Sequence, residues 1–377
     1  MKLCLYAAVR ILKYRKEDLK MKRLFAVLLV ALLVVGLVAC AGQPVATPAP
    51  PPTGGGTTPA ETPDAPAGPA MVVRIGHVSP THTARHIGML ALQEYVMEAL
   101  PGQVDIQIFP AAQLGPALEL AQGLQTGSLE IALMGAGFMG GFEPALGIVD
   151  VPGIWPASED AVIALMEEAL IPELRYTLDH TGMRLLDYWF EEFIVYGSTV
   201  PLRTLADFHG VRIRTIPNPI QMAMVEALGA TPVAMDPGEL YQGLLTGIVD
   251  GNGNPLSFMA GNMLQEVHNY LTLSFHGIGG NYISASLQWW ESLPTEWQEI
   301  FLRGIDAGRA AALAAMQIEA QDAWDAYVEA GVTFIELDPA ERERWMEALA
   351  PVADVYVEMT GRQDILDLVR AETARRS

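Results

Sequence analysis

Residues 203–255, RTLADFHGVRIRTIPNPIQMAMVEALGATPVAMDPGELYQGLLTGIVDGNGNP, change periodicity four times in about fifty positions. The run Val211-Arg212-Ile213-Arg214-Thr215 alternates as a strand does, and a helix and a short strand at Thr231–Met235 follow it. A second helix, Pro237–Leu245, leads into a polar loop, Asp250-Gly251-Asn252-Gly253-Asn254-Pro255. Such β-α repetition commits this region to an α/β layer. Two units, each ending in a polar or glycine-rich loop, make one half of a ligand cleft, and Arg214 stands where an anionic ligand could be clamped.

The same grammar extends in both directions. Val72–Val78 reads as a strand, 83–99 as an amphipathic helix and Val104–Phe109 as an alternating strand closed by Pro110. A helix over 116–125 and a strand at Leu129–Met134 complete a β-α-β-α-β run, which predicts a parallel sheet. A helix over 159–180 and a strand at Met183–Trp189 come next. Leu271–Leu287 is strand-like but broken by Gly277-Ile278-Gly279-Gly280, which suits a crossing between two lobes. Pro294 opens a helical run to Glu329, unusually long for a globular helix, and 338–359 and 363–374 are helical in pattern. The expected architecture is α/β, two lobes joined by crossing strands with a long helix alongside. Residues 71–191 with 280–319 form one lobe, and 192–279 with 320–377 the other.

The front of the chain has a different character. Lys22-Arg23 precede an apolar run from Leu24 to Ala39, the pattern of a secretory signal, with Met21 as a second candidate start. Leu37-Val38-Ala39-Cys40 resembles a bacterial lipobox, which makes Cys40 a lipidated first residue; the alternative is an uncleaved membrane anchor. Residues 41–70, rich in Pro, Gly, Thr and Ala, cannot bury enough surface to fold and read as a tether. Either way the remainder is expected outside the cytoplasm, held at a membrane. That remainder, 71–377, is near the size at which one core splits into two.

Charge excludes whole classes of partner. Residues 1–40 hold 8 Lys+Arg and 2 Asp+Glu, so of the chain's 23 and 44 there remain 15 basic against 42 acidic side chains, and no lysine follows Lys22. A body this acidic does not bind nucleic acid and is disfavoured on anionic lipid. An arginine in a cleft is then a local exception. The two cysteines, Cys4 and Cys40, leave the folded part without thiol or disulfide chemistry.

Several segments in order carry a family resemblance: IFPAAQLGPALELAQGLQTGSLEIAL at 108–133, DVPGIW at 150–155, LADFHGVRIRT at 205–215, LGATPVAM at 228–235, Glu239-x-Tyr241 and VDGNGNPLS at 249–257. From about 72 to 360 the chain resembles the DctP-type solute-binding proteins of tripartite ATP-independent periplasmic (TRAP) transporters. The resemblance implies a two-lobed periplasmic-binding-protein-like fold (type II-like) that closes over an organic acid as a monomer and delivers it to the membrane subunits of a permease. It implies that Arg214 makes a bidentate salt bridge to the ligand carboxylate and that Asn254 hydrogen-bonds the ligand. Gly135, Phe138, Asn281, His77, His82, Trp189, Met235 and Pro237 are the further expected cleft residues. No cofactor is expected, and the sequence leaves open a Ca²⁺ ion bridging the carboxylate. This chain also departs from the family: Ile194 stands near a frequent second arginine, Pro237 near a frequent aromatic, and Asn252-Gly253 where Gln-Glu is usual. These changes imply a smaller or more apolar monocarboxylate, aromatic or branched.

Rival chemistries fare less well. Gly135-Ala136-Gly137-Phe138-Met139-Gly140 fits G-x-G-x-x-G, but Phe142-Glu143-Pro144 interrupts the helix that a dinucleotide site needs. His77, His82 and His86 invite zinc, yet no cysteine assists and the loop reads equally as cleft lining. Trp155 and Trp189 divide between core and pocket. No G-x-S-x-G, H-E-x-x-H or P-loop is present, and Glu191-Glu192, adjacent on a strand, point to opposite faces. Remaining alternatives are an ABC-type binding protein and a secreted lipoprotein enzyme acting on a small carboxylate.

Overall fold

The computed structural model describes Met71–Arg376. The expected signal, Cys40 and tether lie outside these residues. β1 (Met71–His77), α1 (Ala84–Ala99), β2 (Val104–Phe109), α2 (Ala117–Thr126) and β3 (Ile131–Gly135) follow in the expected order, with β1 parallel to β2 and β3. α2 ends at Gly127, whose φ of 72° suits the left-handed C-terminal turn. A one-turn helix α3 (Ala136–Met139) comes next. The helix expected over 159–180 is instead broken: a π turn at Met166–Leu170 precedes Pro172, which lacks the N–H that a regular helix needs.

β4 (Met183–Phe193) hands over to β5 (Val195–Ser198). Then come β6 (Arg212–Thr215), α4 (Pro219–Ala227), β7 (Thr231–Ala234), α5 (Leu240–Leu245), β8 (Gly251–Asn254), α6 (Leu256–Gly261) and β9 (Tyr270–Leu273). Asn218 caps α4, its Oδ1 accepting from the N–H groups of Ile220 and Gln221, with Pro219 preset for the first helical position. The segment expected as a polar loop at 250–255 is therefore mostly a strand, β8, paired with β5 on one side and β6 on the other.

β10 (Ile278–Ser286), α7 (Thr295–Glu329), β11 (Thr333–Glu336), α8 (Pro339–Leu349), α9 (Val352–Thr360) and α10 (Gln363–Arg376) complete the chain. The first sheet has the order β2-β1-β3-β10-β4 and the second β11-β9-β5-β8-β6-β7. The first is mixed rather than parallel, because β10 runs antiparallel to both β3 and β4. The chain passes between sheets at β4–β5 and again at β9–β10 through 274–277; of the break expected at 277–280 only Gly277 lies in that link, while Ile278–Gly280 open β10 beside β4. There the Ile194 N–H donates to the Gly277 carbonyl at 2.9 Å.

α7 belongs to both lobes. Phe301, Ile305 and Ala312 join the core over β1 and β3, whereas Ala323 and Tyr327 join the core beside the second sheet. Its first half lies almost backbone to backbone on α1. A Cβ on Gly308 would sit 2.7 Å from the Gly88 carbonyl oxygen and 2.9 Å from the Trp189 ring. The C-terminal helices depart from the expected partition of 320–377. Tyr356, Ile365, Leu366 and Val369 of α9 and α10 share a core with Leu146, Leu165 and Leu170 of the first lobe, whereas Trp345 and Leu349 of α8 pack with Phe208 and Ile213 of the second. The reason is local: α8 ends before Pro351, and α9 restarts against the 144–150 turn, where the Tyr356 hydroxyl donates to the Ala145 carbonyl.

At the crossing, Glu191 and Glu192 do face opposite ways. Glu191 pairs with Arg85 of α1 at 3.0 Å, and Glu192 accepts from the Ser257 N–H at the start of α6 at 2.8 Å. Burial pushes the Glu192 carboxyl from 4.5 up to about 7, against the opposing hydrogen bonds from Ser257. A carboxyl with a raised folded-state pKa holds its proton between about 4.5 and 7 when the unfolded chain has lost it, so its contribution to stability declines as pH rises through that window. Thermal melts of wild type and Glu192→Gln should therefore diverge from pH 5 to pH 8, the variant gaining relative to wild type; parallel melts would disprove the assignment. Gly308→Ala should cost about 1–3 kcal/mol in chemical denaturation through overpacking against Gly88 and Trp189.

Candidate ligand-binding cleft

In α/β sheets, ligands gather at the carboxyl ends of parallel strands, and here the ends of β1 and β3 in one sheet and of β6, β7 and β8 in the other supply the expected residues. β6 carries Arg214 in register with Val233 of β7 and Asn252 of β8, and strand alternation puts it opposite Ile213, which is buried against Phe208 and Trp345.

Arg212 and Arg214, two residues apart, are treated differently. Arg212 is matched by Asp250, which receives its N–H, Nε and Nη2 at 2.8–2.9 Å. The Asp207 carboxylate instead caps the turn at Arg203 and Thr204. Arg214 is 5% exposed and, among the described residues, no carboxylate pairs with it. Its Nε donates to the Met235 carbonyl at 2.9 Å, while Nη2 is buried without a partner. Burial draws its pKa down to about 10, countered only by the field of Asp236. A desolvated cation with a free donor has the chemistry to accept an anion's counter-charge.

Asn254 lies on the same strand face as Asn252, two residues along. Its Oδ1 accepts from Asn252 Nδ2 at 2.9 Å, leaving its own amide hydrogens without a protein acceptor among the described residues. Met235 thus serves through its carbonyl, and Pro237, half-buried, opens the turn before α5. Ile194 sits at the crossing within reach of three glycines: a Cβ on Gly253, Gly277 or Gly279 would lie 3.2–3.8 Å from it.

The first lobe contributes Gly135, Asn281 and Trp189, one register row across β3, β10 and β4. Asn281 is buried with its Nδ2 unpartnered, and Phe138 is half-buried on α3. Trp189 is a correction: it is 2% exposed and wedged beneath Gly88 and Gly308, so it is core, filling the gap those glycines leave. His77 is wholly buried, its Nε2 3.1 Å from His86 Nδ1, and burial followed by the His86 and Arg85 charges lowers its pKa to about 4. His82 is exposed in the turn before α1 and apart from that pair, so the three do not converge. Among the described residues no group of three or more His, Cys, Asp or Glu side chains is arranged to hold a metal ion.

A contact between lobes escaped the sequence reading. Asn218 Nδ2 donates to the Gly137 carbonyl and to Asp150 Oδ2, both at 2.9 Å, and Gln221 Nε2 donates to Asp150 Oδ1 at 2.8 Å. Asp150 follows the 144–149 turn of the first lobe; Asn218 and Gln221 begin α4 of the second. Burial raises the Asp150 carboxyl to about 6. Single polar residues far apart in sequence carry no periodic signal, and only their juxtaposition reveals the contact.

Comparison with known proteins agrees with this geometry. The family described as "Bacterial extracellular solute-binding protein, family 7" (DctP) matches residues 75–359. The C4-dicarboxylate-binding periplasmic protein DctP of Rhodobacter capsulatus is 31% identical over 310 residues, 81% of this chain and 91% of the relative. The ectoine-binding periplasmic protein TeaA of Halomonas elongata is 27% identical, covering 74% and 86%. Among solved structures, a TRAP periplasmic solute-binding protein from Desulfovibrio salexigens with bound orotic acid superimposes with a TM-score of 0.78 at 30% identity, covering 81% of this chain and 99% of that one. A two-lobed fold, the ordered motifs and the family match agree: this chain belongs to the DctP family of bacterial extracellular solute-binding proteins.

Proposed function

We propose that this protein captures an organic acid between its lobes outside the cytoplasm and delivers it to the membrane subunits of a TRAP-type permease, with no covalent chemistry and no resident metal. The observation that carries this reading is the buried Arg214 guanidinium, whose Nη2 is unpartnered and which, among the described residues, no carboxylate contacts. A ligand carboxylate supplies both missing terms, a counter-charge and an acceptor. Relatives named for C4-dicarboxylates and a neighbour holding orotic acid support an acid as cargo. Ile194 at the crossing favours a monocarboxylate with apolar bulk. Lipid attachment at Cys40 places the carrier beside its permease, and a monomer suits a protein that must open and close. Closure is driven by the difference in ligand affinity between open and closed forms.

A thermal-shift screen of aliphatic, keto, hydroxy, aromatic and sugar acids, with EDTA or Ca²⁺, should find one acid that stabilises strongly and equally in both. Arg214→Ala should weaken its binding by about 2–5 kcal/mol. A loss under about tenfold, or roughly 1.4 kcal/mol, would remove Arg214 from the proposed role. Arg214→Met should do the reverse to the ligand-free protein, raising its melting temperature by relieving an uncompensated buried charge. A lower melting temperature in that variant would show that the guanidinium is structural.

A further inference from the structure

Asn254 is the near end of a chain of hydrogen bonds that runs back to the long helix. Its Oδ1 is 2.9 Å from Asn252 Nδ2; Asn252 Oδ1 is 3.0 Å from His268 Nε2; His268 Nδ1 is 2.9 Å from the Tyr327 hydroxyl on α7. Asn252 and Tyr327 are fully buried and His268 is 3% exposed, so water does not substitute for any link. The backbone makes room for the ring. A Cβ on Gly197, the β5 residue in register with Asn252, would fall 2.2 Å from His268 Cε1.

Such a chain of amides and an imidazole has two polarities, and only one satisfies its end. With the imidazole neutral, as burial makes it, Tyr327 O–H donates to Nδ1, Nε2–H donates to Asn252, and Asn252 donates to Asn254. The reverse polarity strands the Tyr327 O–H, which has no other acceptor among the described residues, and an unpaired buried donor is the costlier defect. The first polarity occupies Asn254 Oδ1 and leaves only its N–H groups to face outward.

We propose that Tyr327, His268 and Asn252 are positioning residues, a one-way hydrogen-bond relay that holds Asn254 as a donor and makes the cleft beside Arg214 select an ionised carboxylate over the corresponding carboxamide. This rests on the reading that Arg214 and Asn254 face the ligand. A carboxylate offers acceptors to both groups. A carboxamide that turns its oxygen to Arg214 turns its N–H groups onto those of Asn254. Discrimination arises because the relay forbids the amide rotation that would relieve this clash.

Two measurements test the relay. Imidazole ¹⁵N spectra of the ligand-free protein should show His268 neutral and protonated on Nε2, and Tyr327→Phe should abolish that tautomer preference. Protonation on Nδ1 in wild type overturns the proposal. In calorimetry with benzoate against benzamide, succinate against succinamate, and the acid from the thermal-shift screen with its amide, wild type should prefer the acid. Tyr327→Phe, checked for a native melt, should reduce that preference by roughly fivefold or more. His268→Gln, which can still donate to Asn252 and accept from Tyr327, should keep most of it. An unchanged preference in Tyr327→Phe overturns the selectivity claim. Acid binding that ignores Arg214→Ala overturns the functional reading alone, because the tautomer is read without ligand.

Discussion

A buried guanidinium without a carboxylate is the constraint around which the second lobe is arranged. The chain has 44 acidic side chains for 23 basic ones, so a partner for any arginine is abundant. Arg212, one strand period from Arg214, takes Asp250 through its N–H, Nε and Nη2. Arg214 takes a backbone carbonyl through Nε and nothing through Nη2. Withholding a carboxylate there destabilises the ligand-free fold, and the surrounding cores of both lobes must offset that. Under the proposed function, the same withheld contact is what an anionic ligand would gain on entering.

Under the proposed function, closure would require the lobes to share an axis that holds while they move. α7 provides one: it is anchored in both cores, with its first half locked to α1 by the Gly88–Gly308 approach. Close helix packing of this kind resists sliding, so a closure of the lobes would have to bend the chain at the two crossings, where Ile194 bonds Gly277. The Asp150–Asn218–Gln221 contact then spans the gap between the lobes. It is the polar part of a larger contact, since Ile220 of α4 is buried in the first-lobe core with Leu146 and Ile148, and Met224 and Ala227 pack beside it.

Most of the architecture was legible because periodicity is a local property. The β-α alternation and the long helix from Pro294 each leave a pattern in ten or more consecutive residues. What failed to show in the sequence depends on partners distant along the chain. Gly251–Asn254 has the composition of a turn and becomes a strand only because β5 and β6 flank it. Trp189 looked available at a strand end, but Gly88 and Gly308, 101 and 119 positions away, leave a slot that it fills. His268 reads as an isolated histidine until its two neighbours, 16 and 59 residues off, are brought beside it.

The composition of β8 acquires a reason in that setting. Gly251 and Gly253 face the side where Ile213 and Tyr196 pack, and a Cβ on either would lie 2.7 Å from the Gly197 carbonyl oxygen or 3.1 Å from the Tyr196 ring. Asn252 and Asn254 face the opposite side, in the row that holds Arg214. Glycine on one face lets the aromatic core close up against the strand; asparagine on the other gives it side chains that both donate and accept. A binary pattern of this kind differs from the usual apolar–polar alternation, since neither residue type is hydrophobic. Its logic is the same: the pleat sorts what must pack from what must bind, and the tight side fixes the position of the polar one.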